Sequence, residues 1–399
     1  MRPSIGDDQR RARLQLRQFP APGPRPADSP VALAGTLAGF HATTSSTVHL
    51  SAWARDPRVR PGDLESALYD DRALVKQLAM RRTLFVLTRP LLAAAVGAIG
   101  ARVAASERTN MLRELRRSPV SGTEAAVPDP EGWIAAASEA VLATLAAESL
   151  TTAQLRAALP EYDLSVDVHP GKTYGGAAPM LPRLLNHLSA RGDIVRGDGA
   201  GSWNTARNTW TTMTSWLGTE LPHATPDDGH AELVRCWLRT YGPGTEEDLV
   251  WWLGSTKTAV RKALSAVDAV EVALDSGDVG YLLPDDLDDV EPGPPRALLL
   301  PELDPTTMGY KKRDFYLGPH AAEIFDATGN GGQTAWWDGR IVGGWIRRPE
   351  SSSVEVLLLE DVPAPARRAL DLRAEELAAW LGEEKLVTGY PSPQTRRHR

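Results

Sequence analysis

One cysteine, Cys236, stands in 399 residues. That excludes an intramolecular disulfide and any zinc site built from several thiolates. Cys236 lies in the apolar pattern Leu233-Val234-Cys236-Trp237-Leu238, where a thiol is a small core residue rather than a nucleophile. No P-loop, HExxH or GxSxG pattern occurs, and no grouping of His, Cys, Asp and Glu has metal-ligand spacing, so neither metal nor cofactor is expected. The GNGG at 329–332 reads as a loop rather than a phosphate cradle. Long apolar runs are missing too. The longest, residues 91–100, is rich in Ala and too short to span a bilayer, and the first residues, MRPSIGDDQRR, carry no apolar signal region. The expectation is a cytoplasmic bacterial protein, nucleoid-associated and with no membrane contact.

What is present fits a globular chain, with 42% hydrophobic and 24% charged residues, long enough for two to four domains. The net charge of −7 argues against indiscriminate coating of nucleic acid, but it hides a segregation. Residues 1–120 hold 19 Lys/Arg against 10 Asp/Glu, a balance of +9 that leaves −16 for the remainder. A basic front on an acidic body is compatible with a localised DNA-binding surface.

Compositional breaks at 118–130 and 218–229, rich in Pro, Gly and acidic residues, divide the chain into 1–125, 126–225 and 226–399. The middle segment reads as helices at 132–147, 151–159 and 180–192, then a β-like run at 193–196, a Gly-rich tip at 197–201 and a second β-like run through Trp203. Three helices and a hairpin make a winged helix. The third segment repeats this with sharper signals: helices at 230–242, 245–254 and 255–267, then strand, SGD turn and strand over 270–283. Thr245 with Asp248 three positions on forms a capping-box variant. In the first segment helices are expected over 31–40, 61–69 and 72–80, before a strand at 81–88. The tail adds strand candidates at 297–301 and 354–359, a DG-turn hairpin at 336–345, and a disordered basic end, TRRHR. The fold class is therefore α+β, with three tandem winged-helix domains in a C-shaped arrangement and a β-rich C-terminal portion. Three copies in one chain suggest a monomer that curls around a duplex.

The stretch FHATTSSTVHLSAWAR at 40–55 holds the most chemistry. His41 and Thr43 lie two residues apart in a small, polar segment read as a turn between two apolar helical runs, where side chains can face a cleft on a rigid support. By itself this pattern also describes a helix cap.

Further motifs run along most of the chain: SAWAR at 51–55, MRRTLFVL at 80–87, YGPGTEEDLVWWLG at 241–254, LLPELDPTTMGYKKRD at 299–314 and DGRIVGGW at 338–345. In order and spacing they resemble bacterial winged-helix DNA glycosylases of the AlkZ/YcaQ type, which excise bulky or crosslinked alkylated purines, including natural-product adducts. The resemblance implies a monofunctional DNA glycosylase whose partner is double-stranded DNA containing alkylated purines. Where better-known members resemble one another in a Gln-x-Gln or Gln-x-Asp triplet, this chain has His41-Ala42-Thr43, a variant branch. The resemblance makes His41 and Thr43 the candidate catalytic pair. A neutral imidazole of ordinary pKa, about 6.5, can take a proton from water, and Thr43 can hold that water.

Arg81 and Arg82, and the run Lys311-Lys312-Arg313, are the candidate DNA-binding residues, suited to phosphate contact. His49 is expected in the core, Asp304 as a turn cap, and Trp251-Trp252 as core or interface aromatics. A non-catalytic winged-helix DNA-binding protein, either a lesion-recognition factor or a transcriptional regulator, is the alternative reading.

Overall fold

In the computed structural model, which describes residues 2–19, 30–168, 175–205, 207–348 and 350–398, the sharpest local signals form as their chemistry dictates. Pro226–Tyr241 is a helix opened by Thr225, whose hydroxyl accepts the Asp228 amide. Glu246–Leu253 follows, opened by a reciprocal capping box between Thr245 and Asp248 and closed by Gly254 at φ +62°. Lys257–Ala266 completes the helices, and Val270–Leu274 pairs antiparallel with Val279–Leu282. The short strand Gly244–Thr245 joins the hairpin through Tyr281 and Gly280.

The order of helix, short strand, helix, helix and hairpin recurs twice more among the described residues. The middle unit has helices Pro130–Ala147, Thr152–Ala158 and Met180–Arg191, a bridge from Leu150 to Trp210, and a hairpin of Ile194–Ala200 with Arg207–Thr212. The first has Pro30–Thr36, the strand Phe40–His41, Ser45–Arg55, Pro61–Glu65 continued by a wide turn to Asp70, and Leu74–Leu78 paired with Leu84–Thr88. Phe40 and His41 pair with Val86 and Phe85 of that hairpin.

Three expectations are corrected, and one element is new. Residues 74–78 are strand, not part of a helix over 72–80: both faces of the strand are covered, so its sequence shows no alternation. The middle wing's second strand begins at Arg207, beyond Trp203. An unforeseen second hairpin, Ser165–Val168 with Gly176–Pro179, precedes the middle unit's third helix. The terminal residues form the helix Pro393–Arg397, with Gln394 and Thr395 buried and the Gln394 amide donating to the Leu357 carbonyl.

The units interlock. Lys76 pairs with Arg196, so the first two wings share one five-stranded sheet. The apolar run at 91–100 sits inside a 29-residue helix, Arg89–Arg117, which has a wide turn at Val96–Gly100. By length and composition alone this helix meets the test for a membrane span, and 56% of its apolar window is buried inside the protein. Gly97 touches the Ala224 carbonyl and Gly100 the Ala190 carbonyl so closely that a Cβ at either would overlap the backbone oxygen. Residues 4–18, which the sequence division counts with the first unit, associate with the third. Ser4–Ile5 pairs parallel with Ala273 and Leu274, and from the helix Asp7–Gln18 both Arg13 and Arg17 reach Asp286.

The C-terminal sheet runs Ala297–Leu300, Thr334–Trp337, Arg340–Arg347, Val354–Leu358, all antiparallel, and is covered by the helix Ala364–Leu381. The expected DG turn is there: Asp338 and Gly339 both have positive φ, +48° and +76°. Asp304, after the first of these strands, is fully buried. It accepts both Arg55 Nη1 and Nη2 at 2.9 Å and Ser51 Oγ at 2.7 Å, and caps its own turn through the Thr306 amide. This pair ties the helix Ser45–Arg55 to the C-terminal sheet.

Candidate active site

The strand Phe40–His41 presents His41, and the bend that follows it, ahead of the helix Ser45–Arg55, presents Thr43. Successive side chains alternate, so Phe40 and Ala42 enter the apolar cluster of Leu37, Val48 and Leu64, while His41 and Thr43 line a cleft of about 300 Å³. Pairing to Phe85 and the Ala42 amide bond to the Leu84 carbonyl (2.8 Å) hold the segment. His41 is 3% exposed, its ring lies 5.2 Å from that of Phe85, and its Nδ1 has no hydrogen-bond partner. Burial, and secondarily the charge of Arg81, pushes the imidazole down to about 3. The expected value near 6.5 is thus corrected: His41 is neutral at every ordinary pH and correspondingly a weak base. Thr43 is exposed at the mouth.

Arg81 and Arg82 occupy the tight turn between the first wing's strands, both left-handed at φ +53° and +59°. Such a conformation costs about 1–3 kcal/mol per non-glycine residue and persists only where neighbours enforce it. Two contacts do so. Gly254 lies flat against Arg81, and a Cβ there would sit 3.0 Å from the Arg81 Cα; Arg82 is ion-paired to Glu107. Arg81 is thereby turned inward, its Cζ 4.1 Å from the centre of the Trp251 ring.

Asp248 performs the matching service for the KKR run. Its Oδ2 accepts the Thr245 amide and hydroxyl at 2.9 and 2.8 Å, and its Oδ1 accepts the amides of Lys311 and Lys312 at 2.9 and 2.8 Å. The two lysines point outward, Lys311 to Glu247 and Lys312 to Asp278. Arg313 turns into the cleft, its Cζ 5.1 Å from the Trp251 ring and 4.2 Å from that of Phe325.

The structure therefore brings His41, Thr43, Arg81 and Arg313 together and leaves Arg82, Lys311 and Lys312 in ion pairs outside. Burial, followed by the charge of Arg313, lowers Arg81 to about 10, so it is still cationic at neutral pH. Arg81 Nε and Arg313 Nη1 are buried without a partner, like His41 Nδ1. Among the described residues lining the cleft none is Asp, Glu or Lys.

Sequence reasoning missed Trp251, Asn330 and Tyr390, which line the same cleft. Adjacent tryptophans on a helix point about 100° apart, so Trp251 and Trp252 could not both enter one core; that was the available signal. It also missed Glu302, whose carboxylate accepts the amides of Gly389 and Tyr390 at 2.9 and 2.7 Å and pins that wall. Asn330 belongs to the GNGG loop, which is a loop as expected. It is organised by Asp326, whose burial alone would raise its pKa but which the amides and side chains of Asn330 and Thr328 hold down at about 2.

Residues 34–380, containing every part of this cleft except Tyr390, match the family described as DNA glycosylase AlkZ-like. The chain belongs to the AlkZ-like DNA glycosylase family. Among solved structures, the DNA glycosylase AlkZ of Streptomyces sahachiroi is similar, with a TM-score of 0.71 over 96% of this chain and 99% of that one, at 21% sequence identity. That likeness establishes the shared fold. No curated protein matches the sequence. Membership makes DNA the partner and hydrolysis of a base–sugar bond the reaction class for this AlkZ-like chain.

Proposed function

We propose that this AlkZ-like protein releases bulky or crosslinked N7-alkylated purines from duplex DNA as a monofunctional glycosylase, with His41 and Thr43 positioning the attacking water. One observation carries the substrate class: among the described residues the cleft is lined by no acid. His41 stays neutral, and no carboxyl group is among the described residues of the wall. A neutral base such as uracil needs a proton or strong hydrogen bonding to depart, whereas an N7-alkylpurine already carries its positive charge and leaves unaided. What remains for the protein is to place water at the anomeric carbon and keep it oriented. The unpartnered Nδ1 of His41 and the Thr43 hydroxyl, on a pinned strand and the bend after it, are suited to that. The absence of a lining lysine supports the monofunctional assignment, since strand cleavage through a Schiff base needs an amine nucleophile.

The test is an oligonucleotide panel of N7-alkylguanine, a natural-product purine adduct, and uracil, with alkali used to reveal abasic sites. Release is expected from the cationic lesions and not from uracil, with strands intact until alkali is added. Release confined to uracil, or none above the spontaneous rate from any lesion, would refute the reading.

A further inference from the structure

Two guanidiniums meet at one indole beside the candidate catalytic histidine, and neither has a carboxylate partner among the described residues. The neighbouring Arg82 and the fully buried Arg55, by contrast, are each held by a carboxylate. Leaving two cations unpaired in a half-buried cleft costs desolvation that only an incoming anion restores. The placement is also enforced: a left-handed backbone held by Gly254 turns Arg81 inward, and Asp248 sets the loop that delivers Arg313. Trp251 gives both guanidiniums an aromatic surface that fixes their planes, while Arg81 Nε and Arg313 Nη1 remain without a partner.

We propose that Arg81 and Arg313 clamp the phosphodiester next to the target nucleotide, and that this phosphate, not a protein carboxylate, supplies the negative charge facing the sugar as its bond to the base breaks. The inference deepens the glycosylase reading and rests on it for the catalytic half. In the cleft a bare pair of arginines would oppose a positively charged sugar; a clamped phosphate reverses the sign of the local field. The substrate thereby brings the charge that a Gln-x-Asp member carries in its own motif. Trp251 is a positioning residue in this scheme and touches no reacting atom.

The clamp is tested with duplexes carrying a single neutral methylphosphonate, moved one linkage at a time across the target. A tetrahydrofuran abasic analogue reads binding and an N7-alkylguanine reads base release. For the wild-type protein, neutralising one particular linkage should weaken analogue binding on the order of tenfold, the value of a charge-assisted contact, and slow release by more than it weakens binding. Arg313→Gln, and Arg81→Asn, whose side chain tolerates the left-handed backbone, should each lose part of that factor on ordinary DNA and then respond to that linkage by only the remaining arginine's share. If each variant loses the full factor again, the contacts are independent and the proposal is overturned. Insensitivity of the wild type to every linkage overturns it too, and would be the result if the cleft held a free anion. No release from any lesion with the binding cycle intact would sink the glycosylase reading and the catalytic half while upholding the clamp.

Discussion

At the scale of single residues, the depressed pKa of His41 decides what kind of catalyst it is. A general base poised near neutrality gives a rate that falls as pH drops through about 6.5, and its loss typically costs ~10²–10⁴-fold. A base held at about 3 is already in its working form throughout the ordinary range. The rate of base release should therefore be flat between about pH 5 and 8, as read in single-turnover assays. His41→Ala should slow release by roughly 10–100-fold through misplaced water, and His41→Gln, whose amide can also orient water, should recover most of it. An inflection near 6.5 that vanishes in His41→Ala would restore the general-base role.

Stability has its own pH signature. His49 is buried as expected, bonded to the Ser45 carbonyl and packed on Trp203; burial lowers it to about 4, outweighing that bond, and Lys76 adds to the lowering. Both imidazoles are neutral when folded and regain an ordinary pKa when unfolded, so below about 6.5 the unfolded chain binds more protons. Stability should fall on acidification from pH 6.5 toward 4, by up to about 1.4 kcal/mol per pH unit for each histidine. Urea titrations at several pH values should show a shallower acid slope for His49→Asn than for the wild type.

At the scale of elements, the cleft depends on how helix ends meet loops. Asp248 caps a helix and holds two loop amides with one carboxylate, so Asp248→Asn turns an amide toward groups that only donate. A loss of about 2–4 kcal/mol is expected in chemical denaturation. DNA binding should drop further than in Lys311→Ala, because Arg313 loses its aim.

The third unit's helices and hairpin could be read nearly residue by residue, since its caps, glycine stops and SGD turn are local signals. The first unit could not. In the ALVKQLAM run at 73–80 the apolar positions fit a helical period as well as a strand buried on both sides, and only the neighbouring wing settles which. The His41–Thr43 pair was legible as two polar side chains in a small-residue turn, and His41 does end a strand with Thr43 in the bend after it. Trp251 and Asn330 were not: the cleft joins residues from 41 to 390, and nothing local records that closure.

At the scale of the whole molecule, the sign of the net charge says little about DNA affinity, because many surface cations are already paired while those of the cleft are not. Binding should still weaken steeply with salt. Arg313→Gln should reduce the slope of log affinity against log salt by about 0.9, one phosphate's worth, and Lys311→Ala by clearly less, since Glu247 already holds that lysine. The shared sheet and the Arg55–Asp304 pair also make the units mutually dependent. Asp304→Ala strands a fully buried guanidinium and should cost about 3–5 kcal/mol in chemical denaturation.

The pairing of Ser4 with Ala273 has a consequence in time as well as space. During synthesis, Ser4 leaves the ribosome long before the strand that will receive it. At typical elongation rates of about 5–20 residues per second, it waits roughly a quarter of a minute to a minute. Through that interval Ile5 and Arg13, both buried in the finished protein, have nowhere to dock. This early-made segment thus settles late. Until it does, the third unit's sheet keeps an open edge and Asp286 lacks both of its arginines, so the arm acts as a latch that closes only once the third unit's hairpin exists.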